Sequence, residues 1–405
     1  MRALLIVDMQ PIFCEGGELP VPGGHDIADR IADFLRAHAD RYGLIVTTQD
    51  WHINPGSHFS DTPDFVDTWP PHGQAGTPNA ELHPRLQSAL EALRTSYPDL
   101  PLEAVRKGQY AASYSGFDGT TGSAPTGPTA TNPSTSNYAT TAPATAGGTT
   151  EQGLALADLL RRYGTTEVDV VGLALSHCVC ATALDAQREG FATTVFADLS
   201  APVSAETEEA ALQALAEAGV AVTHSPYWTF ACYTASRFGT QPGLREAARR
   251  LGEGIAQAGH GIVYGGGNCG LMGVIADAAL SQGGSVYGVI PHHFDGHEVS
   301  HDTLTRLEVV EDMSTRKNRM AQLADCFVAL PGGVGTLEEF FEVWAHRQLG
   351  IHQKPVVLYN TDGYWDSLLT ALASYAQVGI LSPTLLDSLI VVDTPEALFD
   401  AVVRG

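Results

Sequence analysis

Several things are scarce in this chain of 405 residues, and each scarcity excludes something. Basic residues are outnumbered, 22 against 46 acids, for a formal net charge of −24. Such a balance opposes a phosphate-backbone or anionic-membrane binder, so no nucleic acid and no membrane is expected as a partner. No apolar run is long enough to span a bilayer. The start, Met1 to Asp8, carries an acid where a cleavage region needs small residues, so no export signal is expected. The six cysteines are scattered through apolar strands and turns, and none makes a Cys-x-x-Cys zinc pattern. Reduced thiols in a cytoplasm are the expectation. One long stretch, 119–150, lacks charge altogether and consists of little but Gly, Ser, Thr, Ala, Pro and Asn. It cannot bury enough apolar surface to offset its ordering entropy and reads as a disordered insertion.

What remains is rich in alternation. Apolar β-branched runs such as Ala3–Val7, Leu44–Thr48, Val168–Ala174 and Thr193–Ala197 alternate with helical spacing at 26–42, 154–163, 178–188 and 205–218. A second such series begins near Thr229 and runs to the last helix. Strand–helix alternation over this length predicts an α/β protein of two doubly wound, three-layer, Rossmann-like parallel-sheet domains in tandem, 1–225 and 226–405.

In the first series Cys178 falls where the strand Val168–Ala174 turns into a helix. A helix start offers a dipole that lowers a thiol pKa and N–H groups for an oxyanion. A buried structural cysteine is the bland alternative. Asp8 and Lys107 also follow strands, a carboxylate able to take a thiol proton and a cation able to hold it. Asp50 and His52 are two apart and point the same way from an extended segment. With His58 and His72 they form one carboxylate and three imidazoles, a set suited to a divalent Zn, Fe or Mn ion.

These stretches closely resemble the nicotinamidase/pyrazinamidase branch of the isochorismatase-like hydrolases. The matching text is Ile-Val-Asp8-Met-Gln10, Phe13-Cys-Glu-Gly-Gly, Thr48-Gln-Asp-Trp-His52, Trp69-Pro-Pro-His72, Arg106-Lys-Gly and Ser176-His-Cys-Val. The resemblance implies a thioester mechanism on nicotinamide, with Asp8 as base, Lys107 as its partner and Cys178 as nucleophile. It further implies an oxyanion hole from the N–H groups of Ala174 and Cys178, a cis peptide before Ala174, and Phe13 and Trp69 sandwiching the ring. The metal on Asp50, His52, His58 and His72 would orient the pyridine nitrogen. The family's Asn-Asp before Phe13 is Pro11-Ile12 here, Gly73 replaces a cysteine, and Ser176 replaces an aspartate.

The second series carries two glycine-rich turns. Gly265 to Gly273 contains G-x-G-x-x-G between a strand and a helix, but the next strand ends Ile290-Pro291-His292 without the acid a dinucleotide site needs, which leaves phosphate binding. Pro331 to Glu339 again joins strand to helix, where bare N–H groups favour a phosphate. Tyr264-Gly-Gly-Gly, Gly270-Leu-Met-Gly, Met313-x-x-Arg-Lys and Pro331-Gly-Gly-x-Gly-Thr-x-Glu-Glu, in this order, resemble the LONELY GUY family of cytokinin riboside 5′-monophosphate phosphoribohydrolases, which also circulate as lysine decarboxylases. The resemblance implies cleavage of the N-glycosidic bond of a cytokinin or adenosine nucleoside 5′-monophosphate. Arg316 and Glu339 match the catalytic pair; Lys317, Glu298 and the run Gly332, Gly333, Val334, Gly335, Thr336, Leu337 and Glu338 match the nucleotide-binding positions. No cofactor is expected there, and no lysine stands where a decarboxylase would hold pyridoxal phosphate. Family members commonly dimerise, so a homodimer or higher homo-oligomer through this half is expected. Ser314 stands where the family has a histidine, and the departures at Cys232–Ser236 and Ala345-His346 bear on base preference. The expectation is a fused bifunctional hydrolase. Its rivals are a chain with one catalytic domain and one regulatory, dimerising nucleotide-binding module, or a second domain acting on nicotinamide mononucleotide.

Overall fold

The computed structural model describes residues 1–65, 68–121, 153–292 and 300–403. Nearly all of the 119–150 insertion, and Glu298, lie outside the described residues. The chain divides into two compact units, Met1–Ser225 and Pro226–Gly405.

The first unit runs β1 (Arg2–Val7), α1 (Gly24–His38), β2 (Leu44–Asp50), α2 (Pro84–Ser96), β3 (Leu102–Lys107), β4 (Thr120–Thr121), α3 (Leu156–Arg162), β5 (Glu167–Leu173), α4 (Cys180–Arg188), β6 (Ala192–Ala201), α5 (Ala205–Glu217) and β7 (Ala221–Thr223). Its seven strands take the order β4-β3-β2-β1-β5-β6-β7, and all pair in parallel except the short edge strand β4. Both faces are covered, so β1 reads as a continuous apolar run. Ala3, Leu5 and Val7 join a core with Leu156, Leu159, Ala183 and Leu215 from α3, α4 and α5. The alternate residues Leu4 and Ile6 are equally buried. On α1 the buried Ile27, Ile31, Phe34 and Leu35 recur at helical spacing, and Asp26 and Arg36 sit at the ends the helix dipole favours. The strand order reverses at β1, between β2 and β5, which opens a crevice at the strands' carboxyl ends.

The second unit runs β8 (Thr229–Tyr233), α6 (Pro242–Gln257), β9 (Gly261–Tyr264), α7 (Gly270–Ser281), β10 (Val286–Pro291), β11 (Arg306–Val310), α8 (Met313–Leu323), β12 (Cys326–Ala329), α9 (Val334–Gln348), β13 (Val356–Tyr359), α10 (Asp366–Gln377), α11 (Pro383–Asp387), β14 (Leu389–Val392) and α12 (Pro395–Val402). The sheet order is β11-β10-β9-β8-β12-β13-β14, parallel throughout. Phe230 and Cys232 of β8 pack toward α6, α7 and α12; Ala231 and Tyr233 pack toward α8, α9 and α10. This is the expected three-layer α/β architecture, twice. Among the described residues no helix is long and apolar enough to cross a membrane, and all six cysteines are free thiols.

Candidate active sites

The first site is assembled by register. Asp50 of β2 pairs across from Lys107 of β3, and Val7 of β1 across from Gly172 of β5. Asp8, one residue beyond β1, and Cys178, beyond β5, therefore arrive at the same crevice. Lys107 is buried at its centre. Its Nζ lies 2.9 Å from Asp8 Oδ2 and 3.7 Å from Cys178 Sγ, donates to Ser113 O at 3.1 Å, and makes a close ion pair with Asp50. Two carboxylates around one ammonium raise the Lys107 pKa against its burial, so it stays charged. Asp50 is held low although burial works the other way, chiefly by Lys107 and then by His52. Asp8 is raised, because its burial outweighs Lys107 and a 2.6 Å hydrogen bond from Thr48 Oγ1.

Cys178 lies in a π-helical turn, Leu175–Val179, that precedes α4, and the Leu173–Ala174 peptide is cis. The helix start does not decide its ionisation. Burial, followed by the negative charges of Asp8 and Asp50, pushes the thiol well above its ordinary value, and only Lys107 opposes them. The expected low-pKa thiol is thus corrected to a resting protonated thiol beside a base. A first-turn dipole is worth at most ~2 kcal/mol, and a fully buried charge costs more.

Beside the trio, His52, His58 and His72 each present a ligand atom within 4.8 Å of the others, and all three are buried. His52 Nδ1 lies 2.6 Å from Gly108 O and His72 Nδ1 2.8 Å from Pro70 O. Those carbonyls fix the ring protons there and leave each Nε2 a lone pair. The two Nε2 atoms are 3.8 and 3.9 Å from Asp50 Oδ2. Buried His52 Nε2 and His58 Nδ1 have no hydrogen-bond partner, and burial lowers all three ring pKa values, so the rings are neutral. Orphaned lone pairs facing a carboxylate are what a divalent cation needs, and the residues fit one. Gly108 makes the approach possible: at φ +71° a Cβ there would lie 2.5 Å from His52 Cε1.

Phe13 is buried, its ring 6.4 Å from that of His72. Trp69 is half-buried, donates through Nε1 to Tyr114 Oη at 3.0 Å, and meets the His177 ring edge-on at 6.3 Å. Trp51 belongs elsewhere, under the Arg106 guanidinium at 3.7 Å. Four participants escaped the sequence reading: Thr48 on Asp8, Gln10 gripping both the N–H and the C=O of Asp50, and Tyr114 and His177 beside Trp69. Gln10 and Thr48 lie inside Ile-Val-Asp8-Met-Gln10 and Thr48-Gln-Asp-Trp-His52, as polar residues near the ends of strands.

In the second unit Arg316 comes from α8 and Glu339 from α9. Arg316 Nη1 donates to Glu339 Oε1 at 3.3 Å, and its Nε to Val289 O of β10 at 3.0 Å. Glu339 is buried, which raises its carboxyl to about 7 against the pull of Arg316. Lys317 pairs closely with Glu338 and at 3.1 Å with Glu342. The glycine turn leads directly into α9, which starts at Val334, two residues before Thr336, where the sequence pattern turns helical. Gly333 is its N-cap, and Val334, Gly335 and Thr336 form the first turn, with Leu337 N bonding back to Gly333 O at 3.0 Å. The N–H groups of that turn have no partner within the helix. Gly332 O accepts from Tyr364 Oη at 2.9 Å, and the buried Thr336 Oγ1 has no partner. Gly265, in the other glycine turn, leaves space for the guanidinium: a Cβ there would sit 1.7 Å from Arg316 Nη2.

The isochorismatase domain family matches residues 146–226, and the family described as possible lysine decarboxylase matches residues 272–402. A nicotinamidase/pyrazinamidase of Mycobacterium tuberculosis is 44% identical over 221 residues, 54% of this chain and 97% of that protein. A cytokinin riboside 5′-monophosphate phosphoribohydrolase of Arabidopsis thaliana is 42% identical over 175 residues, 43% of this chain and 80% of that protein. One from Rhodococcoides fascians is 46% identical over 158 residues, 39% of this chain and 80% of that protein. Two hydrolase-type sites in two units, each with relatives of its own, place the chain in two families at once: it belongs to the isochorismatase-like nicotinamidase/pyrazinamidases through its N-terminal half and to the cytokinin riboside 5′-monophosphate phosphoribohydrolases through its C-terminal half.

Proposed function

We propose that the protein is a bifunctional hydrolase, cleaving nicotinamide to nicotinate and ammonia in its first unit and the N-glycosidic bond of a cytokinin or adenosine 5′-monophosphate in its second. The observation that carries the first activity is the buried Lys107 ammonium in contact with both Asp8 and Cys178. Asp8 takes the thiol proton as Sγ attacks the amide carbonyl, and Lys107 balances the charge that results. The N–H groups of Ala174 and Cys178 receive the oxyanion. Asp8 returns the proton to the departing ammonia, leaving an acyl thioester. A water molecule, deprotonated by Asp8, opens the thioester; nicotinate leaves, and the proton passes back to the sulfur. Phe13 and Trp69 flank the ring. Asp50, His52, His58 and His72 would hold a divalent cation, whose chemistry there is to orient and polarise the ring nitrogen.

The second activity rests on the pair of half-buried Arg316 and buried Glu339, 3.3 Å apart. The glycosidic bond breaks through an oxocarbenium-like state, which the Glu339 carboxylate stabilises as it takes a proton from the attacking water. The phosphate is seated on the first-turn N–H groups of α9, with Thr336 Oγ1 as an added donor and Lys317 nearby. The proton that Glu339 has taken passes to the departing base, so base and ribose 5-phosphate are the products and Glu339 is again a carboxylate. This reading has both activities in one cytoplasmic chain that serves nicotinamide salvage and pairs through its C-terminal half.

The test is a product assay with the full chain against nicotinamide, pyrazinamide, AMP, a cytokinin riboside monophosphate and nicotinamide mononucleotide. Cys178→Ala and Glu339→Gln variants run alongside. Loss of one activity in each, with the other intact, supports two independent enzymes; a variant that changes neither activity sinks the assignment for its half.

A further inference from the structure

A second group of metal-type donors lies in the first unit, outside the set around Asp50. Cys14, His25 and His83 each present a ligand atom, and these atoms lie within 4.8 Å of one another. Three separate segments meet there: Cys14 closes the turn Pro11–Phe13, His25 stands in the first turn of α1, and His83 is the N-cap of α2. Cys14 is fully buried, His83 nearly so, and His25 is exposed, so the group opens to solvent on one side.

The donors are oriented as ligands. His25 Nε2 lies 3.0 Å from Glu15 O, which places its proton there and turns the Nδ1 lone pair inward. Nδ1 lies 3.0 Å from His83 Nε2. In a tetrahedral zinc site two such nitrogens stand about 3.3 Å apart, given Zn–N near 2.05 Å, so little movement is asked of either ring. Glu15 braces the loop through its carboxylate, which accepts from Gly23 N at 2.6 Å and His25 N at 3.1 Å. The thiol makes only a 3.5 Å contact to Gln10 O, and burial together with Glu15 keeps it protonated without a metal.

We propose that Cys14, His25 and His83 form a second metal site, structural in role, that takes Zn²⁺ through one thiolate and two imidazoles with its fourth position toward solvent. One sulfur and two nitrogens select zinc-type borderline ions and exclude Mg²⁺, Ca²⁺ and Mn²⁺, which prefer oxygen. On binding, the S–H bond breaks, an S–Zn bond forms, and the proton goes to solvent. His83 moves its remaining proton from Nε2 to Nδ1 and gives up the 3.3 Å hydrogen bond it accepts from Arg85 N. Occupancy ties the loop bearing Phe13 to the starts of α1 and α2.

The test uses the full chain carrying Cys178→Ala, stripped of metal and titrated with Co²⁺ alone. The set around Asp50 has no sulfur, so a thiolate-to-cobalt charge-transfer band in the near ultraviolet reports Cys14. The expected result is a saturable band that disappears in Cys14→Ser and in His25→Ala, with one equivalent less bound metal in each by elemental analysis. His25 is exposed, so its variant keeps the test valid if the Cys14 variant fails to fold. Titration without a band, or a His25→Ala protein that binds as much Co²⁺ as its parent, overturns the proposal.

Discussion

At the scale of single residues, both sites hold ionisable groups away from water and set their charge by neighbours. Cys178 is the clearest case, because burial and two carboxylates outweigh the helix start. In the proposed reaction such a thiol needs Asp8 as a base, so Asp8→Asn should lower amidase kcat/KM by at least ~10²-fold, the usual worth of a positioned base. Asp8 is raised by burial, and its proposed role needs the carboxylate, so activity should fall as pH drops through a value above the ordinary aspartate range. A pH profile of kcat/KM on nicotinamide checks the position of that limb. Burial raises Glu339 to about 7, and its proposed role also needs the ionised form. Phosphoribohydrolase activity should accordingly rise with pH through about 7 and lose that limb in Glu339→Gln, whereas a limb set by the nucleotide's own phosphate, near 6, would survive the substitution.

At the scale of elements, the strand ends and turns place these groups, and the glycines leave them room. Gly265→Ala would drive a methyl into the Arg316 guanidinium. The expected result is a loss of about 10²-fold or more in phosphoribohydrolase kcat, since a misplacement of about 1 Å costs that much. The amidase should be unaffected, and paired assays on one preparation decide it. Asp312 caps α8, accepting from Thr315 N at 2.7 Å one residue before Arg316. Asp312→Ala should cost about 1 kcal/mol of stability in the second unit, read by denaturant unfolding. These elements differ in how far the sequence revealed them. The strands β1 and β5 are legible because they are apolar almost throughout, and β2 because it opens with the apolar run Leu44–Val46. Helix α2 was not read, since His83-Pro84 and the modest apolar pattern of Leu86, Leu90 and Leu93 lie in a stretch otherwise dominated by loop residues. The start of α9 is not legible in sequence because Val334 and Gly335 look like turn, and only the Gly333 cap shows where the helix begins.

At the scale of the whole molecule, each unit has an open seven-stranded sheet and a buried apolar core of its own. Fragments 1–225 and 226–405 should therefore each fold when expressed alone, with circular dichroism and a cooperative melt as the check. The cut must keep Ser225, whose N–H and hydroxyl bond to Asp198 at 2.6 and 2.7 Å. Stripping metal with a chelator should abolish or strongly reduce amidase activity and leave the phosphoribohydrolase unchanged, because the proposed first reaction uses the cation that Asp50, His52, His58 and His72 would hold, whereas the proposed second reaction runs on Arg316, Glu339, Lys317, Thr336 and backbone N–H groups.

The sequence by itself determined the α/β alternation, the two-part organisation, and which residue types stand at strand ends, because parallel strands must be apolar and the polar residue that ends one has only the crevice to face. Only the tertiary structure decided that Lys107 touches Asp8, Asp50 and Cys178 together, that three imidazoles converge with orphaned nitrogens, and that Arg316 passes beside Gly265 to reach Glu339. Charge states belong to the same second class: a pKa is set by distances and burial across the fold, and those are settled by strand register and packing rather than by neighbours along the chain.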